Sequence, residues 1–427
     1  ALKFIKEERD YRFERFCETF DDSYIRCYDV LVELQHLSNM EEQLQYRSAS
    51  EDRRAMLRSL WRRRATQVSR QPEVWRSLVT INSLVVTPEE DLMNRVDAAM
   101  VCSKQNWGTF AEVLLERMVG GTPTSSQQLL GKDPNVVHAY LKHVYASNRR
   151  TEAFRMLSEV VAACTPNIGP SDPRAEIWGK CLCLLGEWTV QMNSMDVPEA
   201  INALQRATEL SPKNASAFHS LGMLHYERTR DTNLPMETRH FHCVAAITAL
   251  IASVQLSMDT GKNSVTQDML RILALWFTYG SVPIVHDAVQ AGMGLIPDHV
   301  WLRVIPQLIA RMGINSSKSR QLLTDLLIRV GTYYPHAFIY PLTVSERSTD
   351  VMRRRVAEHV LAGIKQSCEQ LVNEASLISN ELVRMAILWD EKWVAAIQAA
   401  AVKHAQLAQA KKDDQSEVLR ILQPLMD

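Results

Sequence analysis

Hydrophobic positions recur along the chain at intervals of three to four residues, which is the period of an α-helix with one buried face. Each periodic stretch runs for about 12 to 25 residues before a short polar or Pro- and Gly-containing segment interrupts it. The interruptions lie at residues 119–128, 164–173, 228–235, 258–264 and 313–319. No alternating pattern of useful length indicates a β-strand. The sequence therefore predicts an all-α fold.

Local signals mark where individual helices start and bend. Thr87 can cap a helix, Pro88 suits its first position, and Glu90 completes a capping box with Thr87. Pro306 lies within a periodic segment, where it would remove a backbone donor and bend the helix. We therefore predict a helix start at Pro88 and a bend at Pro306.

One part of the chain carries a tetratricopeptide-like repeat. Gly186 and Gly222 each follow a leucine and are 36 residues apart (222 − 186), close to the ideal repeat of about 34. Between them, Ala200 and Ala207 would let two antiparallel helices approach closely, and Pro212 would end the second helix. Repeated hairpins stack into an α-solenoid, so we predict a scaffold of tetratricopeptide- or HEAT-like helical hairpins.

Length and composition restrict the class of protein. The 427 residues suffice for two or three domains or one repeat array, and the start at Ala1 favours a piece of a larger protein. Lys plus Arg is 48 and Asp plus Glu is 49, so no global charge predicts binding to nucleic acid. The apolar run at 244–254 is shorter than the ~20 residues of a transmembrane helix, and no signal peptide opens the chain. We predict no transmembrane segment.

The eight cysteines are scattered through apolar helical patterns. In a chain of this length that arrangement favours reduced, buried thiols over a disulfide framework. We therefore predict a cytosolic protein.

No motif for catalysis is present in the sequence. Phosphoryl transfer requires a glycine loop over phosphate, a lysine and metal-binding carboxylates. Residues 291–297 contain two close glycines without a following lysine, and we interpret them as a turn between helices. We predict no catalytic residues and no cofactor site in this segment.

Two clusters of potential metal ligands also have a simpler interpretation. His240, His242 and Cys243 lie together, and Cys181 and Cys183 are two residues apart. Positions i and i+2 point about 200° apart on a helix, so neither pair chelates well. We predict packed or surface residues and no metal site.

Basic residues offer one candidate binding site. The arginine runs at 62–64 and 353–355 fan around their helices, and we interpret them mainly as solvated faces, with a phosphate or partner contact as the alternative. Lys142, Arg149 and Arg150 instead converge across one helix end and the following turn. Convergent basic groups of this kind can bind a polyanion.

Several long segments, in the same order, resemble the target-of-rapamycin (TOR) family of phosphatidylinositol-3-kinase-related serine/threonine protein kinases. The matching segments are "SLVVTPEED" (83–91), "GEW" (186–188), "LRILALWFTYG" (270–280), "WLRVIPQLIARM" (301–312), "LLTDLLIRVGTYYPHAFIYPLTVSERS" (322–348) and "ELVRMAILWDEKW" (381–393). The resemblance implies a FAT domain at 1–380, with tetratricopeptide-like repeats to about 258 and HEAT-like helices at about 265–380. It implies the N-terminal part of an FKBP–rapamycin-binding (FRB) four-helix bundle at 381–427.

In the FRB domain that the resemblance implies, two tryptophans and four pocket positions are of interest. Trp389 and Trp393 lie four residues apart and would anchor the bundle core. The drug-pocket positions of the family fall on Ile397, Ala401, His404 and Ala405. His404 and Ala405 replace an aromatic pair of the family, so we expect weak or absent FKBP–rapamycin binding.

The resemblance also implies a regulatory role. FAT domains of TOR kinases clamp the kinase domain, which binds ATP and Mg downstream, and support assembly with Raptor- or Rictor-like and β-propeller subunits in dimeric complexes, TORC1 and TORC2, that control growth in response to nutrients. The implied location is cytoplasmic, with peripheral attachment to lysosomal, vacuolar or other endomembranes. A basic pocket for inositol hexakisphosphate would include Lys142, Arg149 and Arg150, although Ser216 stands where a basic residue is expected.

Three alternatives stay open at this stage. The chain could be the FAT segment of another phosphatidylinositol-3-kinase-related kinase, although the segment 381–393 is typical of TOR. It could be a stand-alone helical-repeat adaptor. An enzyme of an unrecognised helical class has no supporting constellation of residues.

Overall fold

The protein folds as stacked α-helices. The computed structural model describes residues 2–20, 23–105, 107–192, 197–258, 263–386, 389–409 and 416–426. Within these ranges the chain forms helices, turns and short 3-10 segments and no β-strand, which confirms the all-α prediction.

The chain divides into two compact units, residues 1–224 (unit 1) and 225–427 (unit 2), with the boundary inside helix α11. The helices up to that boundary are α1 (Leu2–Phe20), α2 (Tyr24–Ser48), α3 (Glu51–Gln67), α4 (Pro72–Asn82), α5 (Leu92–Lys104), α6 (Gly108–Val119), α7 (Pro134–Ala146), α8 (Arg150–Cys164), α9 (Ala175–Gln191), α10 (Val197–Leu210) and α11 (Ala215–Thr229).

The helices of unit 2 beyond α11 are α12 (Met236–Ser257), α13 (Asn263–Tyr279), α14 (Pro283–Met293), α15 (Asp298–Trp301), α16 (Ile305–Ala310), α17 (Ser317–Tyr333), α18 (Pro335–Ser345), α19 (Val351–Lys365), α20 (Glu369–Ala386), α21 (Trp389–Gln409) and α22 (Ser416–Met426). Short 3-10 segments occupy Ser126–Gln128 and Leu302–Val304. Breaks between helices lie within the predicted segments 119–128, 164–173, 228–235 and 313–319, and the turn predicted at 291–297 is present at 294–297. The structure has further breaks that the sequence did not predict.

Helices α9 and α10 form the hairpin that the tetratricopeptide-like pattern predicted. Ala200 and Ala207 of α10 are fully buried against α9. A Cβ atom added at Gly186 would lie 2.6 Å from Cγ of Leu204. The two helices therefore approach so closely that α9 requires a glycine at this contact.

The capping box at Thr87 is present, but the helix begins later than predicted. The amide of Thr87 donates to Oε2 of Glu90 at 3.2 Å, and the amide of Glu90 donates to Oγ1 of Thr87 at 3.4 Å. These bonds close a turn at residues 88–91, and α5 starts at Leu92. The buried Asp91 accepts hydrogen bonds from Asn82 and Asn94, which explains why the chain turns here before becoming helical.

Pro306 does not bend a helix, and that prediction was wrong. The periodic segment 301–312 is divided into α15, a 3-10 turn and the short helix α16, and Pro306 lies in the first turn of α16. A proline in this position costs no hydrogen bond because the first amides of a helix have no intrahelical acceptor.

Helix α12 is long and apolar enough to pass a transmembrane test by length and composition, with a mean hydropathy of 1.4. In the structure 56% of that stretch is buried inside the protein, where α12 packs against α13 and α14. Ile247, Leu250 and Val254 of α12 belong to the same apolar core as Trp276 and Trp301. Helix α12 is therefore a core helix of unit 2.

Candidate polyanion-binding site

Lys142 lies on α7, which packs against α5 on one side and α9 on the other. His138 is four residues earlier, so both side chains project from the same face of α7. Both residues are half-buried, whereas Lys104 at the end of α5 is exposed. The predicted site residue Lys142 therefore lies where α7 packs against α5 and α9 in unit 1.

The electrostatic environment of Lys142 is unfavourable for its charge. Burial lowers the pKa of its ammonium group, and the positive charge of Lys104 lowers it further. Glu187 on α9 acts in the opposite direction and raises that pKa. Among the residues that the structure describes, no carboxylate lies within 4.0 Å of the Lys142 ammonium group. Lys142 therefore carries a positive charge that the protein compensates only in part.

The pKa of His138 is also lowered by nearby positive charge. Burial is the largest cause that lowers its pKa, to about 4, and the charges of Lys142 and Lys180 contribute. The imidazole is consequently neutral near pH 7 and can donate or accept one hydrogen bond without adding charge.

Arg149 and Arg150, the other predicted site residues, have partners within the protein. The guanidinium of Arg149 binds both carboxylate oxygens of Glu152 at 2.8 Å. The guanidinium of Arg150 lies 5.6 Å from the ring centre of Tyr145, and that ring stacks on Trp188 at 4.0 Å. The structure therefore engages both arginines at the start of α8 in local contacts.

Two basic residues were missed from the sequence: Lys104, which acts on Lys142, and Lys180, which acts on His138. Lys104 on α5 and Lys180 on α9 come from other helices, so no spacing along the chain relates them to Lys142. Lys180 is bound to Glu176 at 2.7 Å, which leaves Lys104 as the second basic group of the site without an ion pair in the described part of the chain. Ser216, where a basic residue was expected, donates its amide to Asn214 in the first turn of α11.

The first arginine run holds helices together. Arg62 binds Asp97 at 2.6 Å and Arg64 binds Glu42 at 2.8 Å, so these two members of the first arginine run connect α3 to α5 and α2. These ion pairs give that run a structural role.

The predicted metal-ligand clusters take part in packing contacts. Nδ1 of His242 lies 2.9 Å from Nδ1 of His225, both rings are buried, and burial lowers both pKa values. Cys243 is fully buried in the core, and burial raises the pKa of its thiol to about 12. In the described ranges, no group of three or more His, Cys, Asp or Glu side chains is arranged to hold a metal ion.

The residues assigned to the FRB domain lie on α21, which pairs with α22. Trp393 is 44% exposed in this structure. The side chain of Trp389 lies outside the described residues. The pocket positions are all exposed: Ile397, Ala401, His404 and Ala405. The core role of the tryptophans and the drug-binding role of these positions remain predictions.

The stacked helical hairpins, with a glycine- and alanine-lined contact between α9 and α10, define a helical-repeat scaffold. A family model for the FAT domain matches residues 1–274, and a model for the HEAT repeats of ATR-like serine/threonine-protein kinases matches residues 284–382. The chain belongs to the FAT-domain family, and the relatives that match most of its length include TOR serine/threonine-protein kinases.

Several TOR kinases match nearly the whole chain. The serine/threonine-protein kinase mTor of Drosophila melanogaster is 30% identical over 94% of this chain, and TOR of Arabidopsis thaliana is 29% identical over all of it. The chain spans 17% and 18% of those two proteins. A solved structure of the FAT and kinase domain of CtTel1 has a TM-score of 0.59, with 12% identity, over 80% of this chain and 28% of that one. That likeness supports the FAT-type helical fold.

Proposed function

We propose that this chain is the regulatory FAT segment of a TOR-type serine/threonine protein kinase and that it holds the kinase domain of the same polypeptide. The observation that carries this proposal is the similarity of nearly the entire chain to TOR kinases. ATP and Mg would bind in the kinase domain, downstream of this segment. The described residues would supply a rigid support, because stacked hairpins transmit force through packed cores.

The same proposal includes assembly and location. The helical surfaces would contact Raptor- or Rictor-like and β-propeller subunits and a second protomer, and the complex would control growth in response to nutrients. We place it in the cytoplasm and peripherally on lysosomal, vacuolar or other endomembranes. A stand-alone helical adaptor and a FAT segment of another kinase of the superfamily are the competing functions.

The decisive experiment identifies the natural polypeptide. An antibody against residues 322–348 would precipitate the endogenous protein, and mass spectrometry would identify its peptides. A product far larger than 48.6 kDa that contains kinase-domain peptides supports the proposal. A product near 48.6 kDa without such peptides would establish the adaptor instead. Kinase peptides of a different superfamily member would establish the third function.

We also propose that the site around Lys142 binds an inositol polyphosphate such as inositol hexakisphosphate. Support comes from the half-buried Lys142, whose charge is compensated only in part, together with the exposed Lys104. A bound polyanion would supply the missing negative charge and offset the cost of burying the ammonium group. Arg149 and Arg150 would contribute after exchanging their present partners, so we expect them to contribute less.

Calorimetric titration with inositol hexakisphosphate tests this site. We expect Lys142→Gln to weaken binding by about tenfold or more, as for loss of a charged hydrogen bond of ~1.5–3 kcal/mol. Lys132→Gln is the control, because Lys132 is exposed and is not among the charges that act on Lys142 or His138. Equal weakening by both variants would show non-specific charge attraction and refute the site.

A further inference from the structure

A cavity lined in part by arginine side chains lies in unit 2, between α17 and α19. Its volume is about 350 Å³, within the range of sites for small ligands. Ser317, Arg320 and Asp325 line it from α17, and Arg355 and His359 line it from α19. Arg355 belongs to the second arginine run (353–355). Unlike Arg62 and Arg64 of the first run, Arg355 forms no ion pair with a described residue that would give it a structural role.

The two arginines of this cavity have no carboxylate partner within the described residues. Arg320 donates from Nη1 to the carbonyl oxygen of Ile314 at 3.0 Å, which fixes the guanidinium and leaves its other donors available. Arg355 is exposed and makes no hydrogen bond or ion pair with any described residue. By contrast, Arg329 on the same helix as Arg320 binds Asp298 at 3.0 Å. Among the described residues, the two guanidinium groups in the cavity therefore lack the carboxylate partner that Arg329 has elsewhere in this unit.

Asp325 is the one carboxylate among the residues that line this cavity, all of which the structure describes. Two arginines against one aspartate leave an excess of one positive charge (2 − 1). Asp325 and Gln321 also line an adjoining cavity of about 350 Å³, together with Lys318 and Asp287. Among the described residues Asp325 forms no ion pair with Arg320 or Arg355. The arginines are thus available for an external anion.

We propose that the cavity between α17 and α19 binds the phosphate group of a small phosphate monoester, with Arg320 and Arg355 as its principal ligands. Guanidinium groups bind the oxygens of phosphate in pairs, and two arginines on different helices can bind different oxygens of one phosphate. The amide of Ser317, at the start of α17, has no intrahelical acceptor, and Ser317 lines the same cavity. His359 donates a hydrogen bond from one ring nitrogen. The remaining volume accommodates the organic part of the ligand.

The test uses the full chain and two probes, inorganic phosphate and O-phospho-L-serine, titrated by 31P NMR. The titrations are run with Lys142→Gln as the parent variant, so that the site in unit 1 does not contribute. We expect saturable binding of both probes, with O-phospho-L-serine bound more tightly because it also occupies the rest of the cavity. Tighter or equal binding of inorganic phosphate would assign the site to free phosphate and overturn the monoester proposal.

Substitutions on the two helices distinguish a site from general charge attraction. Arg355→Gln should weaken binding by about tenfold, and because Arg355 is exposed the variant should unfold at the temperature of the parent. Asp325→Asn should strengthen binding by about fivefold, since it removes the repelling carboxylate. Arg354→Gln is the matched control, because it removes the same charge from the adjacent position of α19 without lining the cavity. Equal weakening by Arg354→Gln and Arg355→Gln, or absence of saturable binding, would refute the proposal.

Discussion

The close contact between α9 and α10 makes a quantitative prediction for Gly179→Ala. The new Cβ atom would lie 2.5 Å from Cβ of Ser211 and 3.1 Å from the carbonyl oxygen of Ala207. The first distance is about 1 Å shorter than the 3.5–4.0 Å at which carbon atoms are in contact. Rotation of the serine side chain cannot relieve the overlap, because its Cβ atom is bonded directly to the backbone. The end of α10 must therefore move away from α9.

The magnitude follows from two opposing contributions. Overpacking costs about 1–3 kcal/mol, and this site belongs at the upper end because the backbone has to shift. Replacing glycine by alanine within a helix stabilises it by ~1 kcal/mol. The free energy of unfolding of unit 1 should therefore fall by about 2 kcal/mol, which lowers Tm by about 4–8 °C for a unit of this size.

Urea and thermal unfolding, followed by tryptophan fluorescence, measure this change. The control is Gly108→Ala at the start of α6, where the new Cβ atom would meet its nearest neighbour, the His143 ring, at an ordinary distance of 3.9 Å. That variant should be as stable as the unaltered chain or slightly more stable. If Gly179→Ala were equally well tolerated, the contact between α9 and α10 would not be limited by backbone approach, and the reasoning would be wrong.

Three further predictions concern unit 2. The pKa of His225 is about 4 in the folded chain, because of burial and the neighbouring His242, against about 6.5 when unfolded. As the pH falls, the unfolded chain therefore binds the proton before the folded chain does. The free energy of unfolding should fall by up to ~3 kcal/mol between pH 6.5 and pH 4. His225→Gln should flatten this pH dependence, measured by urea unfolding at a series of pH values. Asp350 accepts backbone hydrogen bonds at the start of α19, and Asp350→Ala should cost about 1 kcal/mol in the same assay; an unchanged midpoint would contradict a capping role. FKBP–rapamycin should bind the intact protein weakly or not at all in fluorescence polarisation, and His404→Tyr with Ala405→Phe should strengthen binding; a nanomolar complex of the unaltered protein would refute this expectation.

Structural features that depend on residues close together in the sequence, such as helices, hairpins and helix caps, could be predicted. The 3.6-residue period located the helices, and the small residues Ala200 and Ala207 identified the tight hairpin. The capping box at Thr87 also forms, but the sequence did not show that Asp91 is buried and accepts from Asn82 of α4 and Asn94 of α5, at the turn that precedes α5. Pro306 was misplaced for a related reason, because periodicity does not distinguish one long helix from short helices separated by a 3-10 turn.

The candidate site was predicted only in part. Lys142 was found through its sequence neighbours, yet those neighbours, Arg149 and Arg150, have partners of their own. The residues that act on the pKa of Lys142, Lys104 and Glu187, are distant from it in the sequence and come close through helix packing. A pattern along the chain identifies residues on one helix face, but only the fold shows which faces share the same space.

The lowered pKa of Lys142 has a consequence for chemical labelling of the protein. A lysine amine reacts with acylating reagents in its neutral form, and a lower pKa increases that fraction at a given pH. Lys142 should thus be acylated faster than surface lysines of ordinary pKa wherever a reagent can enter the angle between α5, α7 and α9. An anion bound there would favour the protonated form of Lys142 and would also block the reagent from reaching its amine. Site-resolved acylation of this single amine could therefore report occupancy of the site inside living cells, without purifying the protein.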